Sequence, residues 1–100
     1  MIFIVWRFTA QPARIAEFER HYSNDGSWAQ LFRRSAGYRG TILLRDSAVP
    51  NRYLLWDCWD DPLSFDRFKH DHGADYAALD KQCEELTEEE TKLGMFESLA

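Results

Sequence analysis

Short-range signatures of chemistry are nearly absent from this chain of 100 residues. It has no glycine-rich phosphate loop, no zinc-ligand spacing and no nucleophile–base motif. Cysteine is scarce. Cys58 and Cys83 stand alone, without a spacing motif, and read as reduced, buried thiols of a cytoplasmic protein rather than a disulfide framework. Cys58 also has no basic neighbour in sequence that would make it a nucleophile. No apolar run approaches the ~18 residues that span a bilayer, so no membrane partner is expected. The apolar opening, Met1 to Arg7, lacks a basic leader and a small-residue cleavage site, and reads as a strand. Basic residues are outnumbered, 12 against 17 acids, and the net charge of −5 argues against nucleic acid as a partner. The imbalance is uneven. Residues 1–50 carry seven Arg and four acids, whereas residues 51–100 carry five basic and thirteen acidic residues. An electropositive first half could suit an anionic or phenolate ligand, although dispersed surface charge explains it as simply.

What the chain has in excess is aromatic rings, 15% of its residues. A domain of this length buries only about 60–70% of the surface its unfolded chain exposes. Some rings should therefore be covered by a ligand or by a partner subunit. Residues 2–9 alternate as a strand, with Ile2, Ile4, Trp6 and Phe8 on one face and Phe3, Val5 and Arg7 on the other. Pro12 suits a first helical turn, and Ile15, Phe18 and Tyr22 form an apolar stripe that ends at Ser23-Asn24-Asp25-Gly26. A short helical piece with Trp28, Leu31 and Phe32 follows. Residues 40–46 and 53–60 read as strands joined by a hairpin loop that contains Pro50-Asn51. Asp61-Pro62 marks a helix start, Gly73 a break, and Tyr76, Leu79, Cys83 and Leu86 a further helix. Glu84, Glu85, Glu88, Glu89 and Glu90 read as a solvated acidic stretch, and residues 91–99 as a last strand.

This order, β-α-β-β-α-β with each helical segment split in two, is a ferredoxin-like α+β arrangement: an antiparallel four-stranded sheet with helices on one face, in one domain over residues 1–100. Both faces of the strands carry large apolar groups, so the face without helices needs a cover. A second copy of the sheet is the simplest one, which makes a homodimer the expected partner.

The chain resembles the antibiotic biosynthesis monooxygenase family of dimeric α/β-barrel proteins. The resemblance rests on the element order, on Gly37-Tyr38-x-Gly40-Thr41 entering the second strand, and on Leu44-x-Asp46 at that strand's end. It also rests on Tyr53-Leu54-x-x-Asp57-x-Trp59 in the third strand and on Phe65-x-x-Phe68 with a histidine after it. It implies a dimeric α/β barrel with a hydrophobic pocket between helices and sheet. It further implies a reaction of O2 with a small aromatic or polyketide-like substrate, without metal or flavin. The haem-degrading branch calls for an Asn in strand one, a Trp one turn after the Phe of the strand-three helix, and a His about three turns into that region. Here strand one has no Asn, Phe68 takes the Trp position, and Ala77-Ala78 falls near the ligand position, which argues against haem.

Trp6, Trp28, Trp56 and Trp59 are candidate walls of an aromatic-binding pocket, although each alone reads equally as core or dimer interface. Strand parity sends Trp56 and Trp59 to opposite faces, so at most one of them can line a helix-side pocket. Phe68 and Tyr76 complete the candidate binding set. His72 falls on the Phe65–Phe68 stripe and is the candidate base, while His21 and His70 read as surface or helix-end residues. Arg45 is the candidate anion stabiliser, and Arg7 or Arg45 could instead pair with Asp57. His70 and His72, two residues apart, diverge on a helix and make a poor metal pair. The residues leave open a non-catalytic binding or structural dimer, or an isomerase or decarboxylase on the same scaffold.

Overall fold

The computed structural model describes residues 1–99. Strand β1 runs Ile2–Ala10, and after a 3₁₀ turn at Pro12–Arg14 come helices α1 (Ile15–Tyr22) and α2 (Ser27–Phe32). Strands β2 (Tyr38–Arg45) and β3 (Arg52–Trp59) form a hairpin, helix α3 spans Ser64–Cys83, and after a second 3₁₀ turn at Glu84–Leu86 strand β4 runs Thr87–Glu97. The sheet order is β2-β3-β1-β4 and every pairing is antiparallel. This is the expected ferredoxin-like α+β fold.

Parity decides the core. Ile4 and Phe8 of β1 and Tyr53, Leu55 and Trp59 of β3 turn toward the helices and are buried. Phe18 and Tyr22 of α1, Leu31 and Phe32 of α2, and Phe68 of α3 pack onto them. Cys58 and Cys83 are buried free thiols. The opposite face has no helix over it, and Ile42, Leu44, Trp56 and Phe96 stay 36–52% exposed there.

Three boundaries differ from the sequence reading. The second helical segment splits in two as expected, but the kink falls at His72 (φ −128°, ψ 29°), one residue before Gly73. Strand β4 begins at Thr87, four residues before the expected start, so Glu88, Glu89 and Glu90 belong to the sheet. They fit there because β4 is an edge strand whose outward positions remain wet, and Glu89 also pairs with Arg7 across to β1 at 3.0 Å. At the start of α3, Asp61 lies two residues before the cap position, Leu63, and accepts from the Leu63 backbone N–H (2.9 Å) and the Ser64 hydroxyl (3.2 Å).

Strand β2 carries a bulge at its entry, where the pairing steps from Tyr38↔Trp59 to Gly40↔Cys58. Gly40 takes φ +141°, a region open to glycine alone without strain. In a regular strand, residues 38 and 41 would point to opposite faces. The bulge changes the phase, and both Tyr38 and Thr41 face the helices.

Candidate active site

A cleft opens between the helices and the β1–β3 part of the sheet. Its aromatic walls come from Trp6 and Phe8 of β1, Tyr22 of α1, Trp28 and Phe32 of α2, and Phe65 and Tyr76 of α3. Leu55 and Asp57 of β3 form its floor, and Asp80 and Glu90 complete the lining. The slot is narrow: about 40 Å³ of it admits the centre of a water molecule. Trp28 stands edge-on to Tyr76 with ring centroids 5.3 Å apart, and Phe65 meets Tyr76 at 5.9 Å.

Asp57 is the chemical centre of this cleft. It continues the inward alternation of Tyr53, Leu55 and Trp59, and is 6% exposed. Its cross-strand neighbour, Thr41, donates to Asp57 Oδ1 at 2.7 Å. That hydroxyl has one proton, so the hydrogen bond between Tyr38 and Thr41 must run from the tyrosine to the threonine. The result is a directed chain, Tyr38 to Thr41 to Asp57. Asp57 Oδ2 makes no hydrogen bond, yet it is not among the fully sealed, unpartnered atoms, so it faces the cleft. Burial raises the Asp57 carboxyl to about 7, against the opposing pull of the Thr41 hydroxyl. Glu90, although partly solvated, is also held above the ordinary range, by desolvation first and Asp80 second. Tyr76 is raised by burial first, then by Asp80, Glu90 and Asp57.

Trp28 is 7% exposed and its indole N–H has no acceptor. It is near enough to Tyr22 and Cys83 to influence them, but not in hydrogen-bond geometry. Trp59 Nε1 is likewise buried without a partner.

Of the residues singled out in the sequence, Trp6, Trp28 and Tyr76 meet at the cleft. Trp59 and Phe68 lie behind it in the core, 5.9 Å apart between ring centroids and both fully buried. Trp56 lies on the other side of the sheet, edge-on to Phe3 at 5.9 Å. His72 rests on Phe68 at the helix kink, 5.4 Å between ring centroids, and does not line the cleft. Arg45 lies in a separate groove, 3.5 Å from Glu19, which also accepts from the Tyr53 hydroxyl at 2.6 Å. Neither Arg7 nor Arg45 pairs with Asp57. His21, expected at the surface or a helix end, lies in the last turn of α1 and is buried, with Nδ1 2.8 Å from Ser27 Oγ. None of Asp57, Thr41, Asp80 and Glu90 stands out in the sequence as a site residue: Asp57 and Thr41 belong to the strand motifs, Asp57 is a possible partner of an arginine, and Glu90 is part of an acidic stretch. For Asp57 a signal existed, since an acid interrupts the buried alternation of a central strand.

No family model matches the chain, and no curated protein sequence matches it. Solved structures do. SnoaB, a cofactor-independent oxygenase from Streptomyces nogalater, is 28% identical with a TM-score of 0.71, over 99% of this chain and 93% of that one. A candidate antibiotic biosynthesis monooxygenase from Bordetella bronchiseptica is 25% identical with a TM-score of 0.77, over 99% and 97% of the two chains. This is an antibiotic biosynthesis monooxygenase-fold protein. A further member of this monooxygenase fold, from Nitrosomonas europaea, reaches a TM-score of 0.73 at only 12% identity, a likeness of fold alone. Among the described residues of the present monooxygenase-fold chain, no group of three or more His, Cys, Asp or Glu side chains is placed to hold a metal ion. No helix among them is long and apolar enough to cross a membrane.

Proposed function

We propose that the aromatic cleft is the active site of a cofactor-independent oxygenase that acts on a small phenolic or polyketide-like aromatic, with Asp57 as the base. The observation that carries this reading is the buried Asp57 carboxyl, with one oxygen held by Thr41 and the other open to an aromatic-walled cleft. The likeness to SnoaB, described as a cofactor-independent oxygenase, supports the reaction class.

Asp57 Oδ2 takes the proton of a phenol or enol. An ordinary carboxylate lies some six units below a phenol at about 10. With Asp57 at about 7, that gap is roughly halved, which removes ~4 kcal/mol from the uphill transfer. The cleft holds no cation to stabilise an oxyanion, and none is required for charge balance: one negative charge passes from carboxylate to substrate. The electron-rich anion then transfers an electron to O2, and the radical pair combines to form a C–O bond. The peroxide anion takes back the proton held by Asp57, and the hydroperoxide so formed loses water by O–O cleavage and leaves a carbonyl. For a ring CH2 group the substrate gives up four electrons, and O2 ends as the carbonyl oxygen and one water, so no external reductant is consumed. The protein supplies position, desolvation and the base. Admission of a ring requires Trp6, Phe65 or Tyr76 to swing aside, each of which is only half-buried.

The proposal extends to the assembly: one domain over residues 1–100 that pairs with a second copy through the open sheet face. Two free buried cysteines support a reducing, cytoplasmic setting. The narrowness of the cleft favours one rival, a non-catalytic binding dimer, which would take up the ligand and consume no oxygen.

Oxygen uptake with a panel of anthrones and naphthols tests the reading. Asp57→Asn is expected to lower the rate about a hundredfold or more, while His72→Ala and Arg45→Ala, outside the cleft, stay near the parent rate. Absence of uptake by the parent protein removes the oxygenase reading for these substrates. A collapse in the His72 or Arg45 variant, with Asp57→Asn active, would return the chemistry to those residues.

A further inference from the structure

The charges around the cleft are of one sign. Asp57 lies at the floor, Asp80 comes from α3 and Glu90 from β4, and no Lys, Arg or His is among the lining residues. All three line the same cleft as Tyr76. None of the ion pairs among the described residues includes any of the three. Elsewhere most charged side chains find partners: Arg7 takes Glu89, Arg14 takes Glu17 and Glu85, and Arg34 takes Asp75. Lys92, cross-strand from Trp6, neither lines the cleft nor pairs with these acids. The aromatic faces of Trp6, Trp28 and Tyr76 add the quadrupoles that attract a cation.

One buried group points to a ligand independently of the acids at the mouth. Asp57 is 6% exposed, and its Oδ2 is an unpartnered acceptor open to the cleft.

We propose that the cleft selects an aromatic ligand that carries a protonated amine. The ammonium lies at the mouth between Asp80 and Glu90, against the aromatic rings. The hydroxyl end reaches the floor, where it donates to Asp57. This inference rests on the cleft being the active site and names the substrate class of that site. Carboxylate-bearing analogues are repelled by three like charges, and neutral ones lack the anchor at the mouth.

Three ligands with one ring and different tails test it: tyramine, 4-ethylphenol and 4-hydroxyphenylacetate. Binding to the intact protein is followed by calorimetry and tryptophan fluorescence. Tyramine is expected to bind about tenfold tighter than 4-ethylphenol, with 4-hydroxyphenylacetate weakest. The tyramine preference should fall with added salt and disappear in Asp80→Asn/Glu90→Gln, while that variant still binds 4-ethylphenol. Equal or tighter binding of 4-ethylphenol by the parent, or a tyramine preference that survives the double substitution, overturns the inference. If oxygen uptake from neutral naphthols still depends on Asp57 in that case, the oxygenase reading stands. Failure of all three ligands to bind removes the cleft as a site and both readings with it.

Discussion

Asp57 is the residue on which the proposed chemistry rests, and its cost to the fold can be measured. Its carboxyl is raised from 3.8 to about 7 in the native state, so between these values the folded protein holds a proton that the unfolded chain has lost. Stability is therefore fully present below about 4, falls as pH rises toward 7, and is level above that. The penalty at pH 8 is on the order of a few kcal/mol. Asp57→Asn removes this titration. Urea unfolding at pH 5 and pH 8 should show a smaller loss for the variant than for the parent, with Asp57→Asn the more stable at pH 8. Parallel losses in both proteins would place the titrating group elsewhere. The role of Asp57 was only half legible in the sequence. Parity put it on the buried face of β3, but its partner Thr41 is 16 positions away, and the hydrogen bond depends on a register that residue types do not specify. His72 and Arg45 stood out because imidazole and guanidinium are familiar catalytic groups. Their distance from the cleft follows from helix phase and from the location of Arg45 at the far end of β2.

At the scale of elements, alternation in β1 and β3 and the stripe on α1 were legible, because apolar period alone sets which face is buried. The start of β4 was not. Glu88, Glu89 and Glu90 look solvated, and on an edge strand they can be both solvated and paired. The split in α3 was legible but misplaced by one residue, since glycine is read as the break and the backbone departs at His72. Gly73 has a helical backbone, and a Cβ added there meets nothing within 4 Å. Gly73→Ala should thus stabilise the protein by ~0.5–1 kcal/mol through helix propensity. A higher urea midpoint at unchanged slope checks this, and a lower midpoint would mean that the His72 kink needs the freedom of glycine.

For the whole molecule, the open sheet face sets the main expectation. Ile42, Leu44, Trp56 and Phe96 present an apolar surface that a soluble monomer rarely leaves uncovered. Light scattering after size exclusion is expected to give twice the protomer mass, and Trp56→Lys to give the protomer mass with the cleft residues unchanged. A stable parent monomer at micromolar concentration would sink the dimer. The two sides of the sheet then have separate duties, assembly on one and chemistry on the other, and the bulge at the entry to β2 decides which residues serve which side. A regular strand over the same residues would leave the core and the open face in place but send Tyr38 to the open side, away from Thr41, and cut the donor chain that ends on Asp57. Gly40→Val, which cannot hold φ +141°, would force that change without touching an acid, a base or a tryptophan. One backbone angle thus carries the wiring of the cleft.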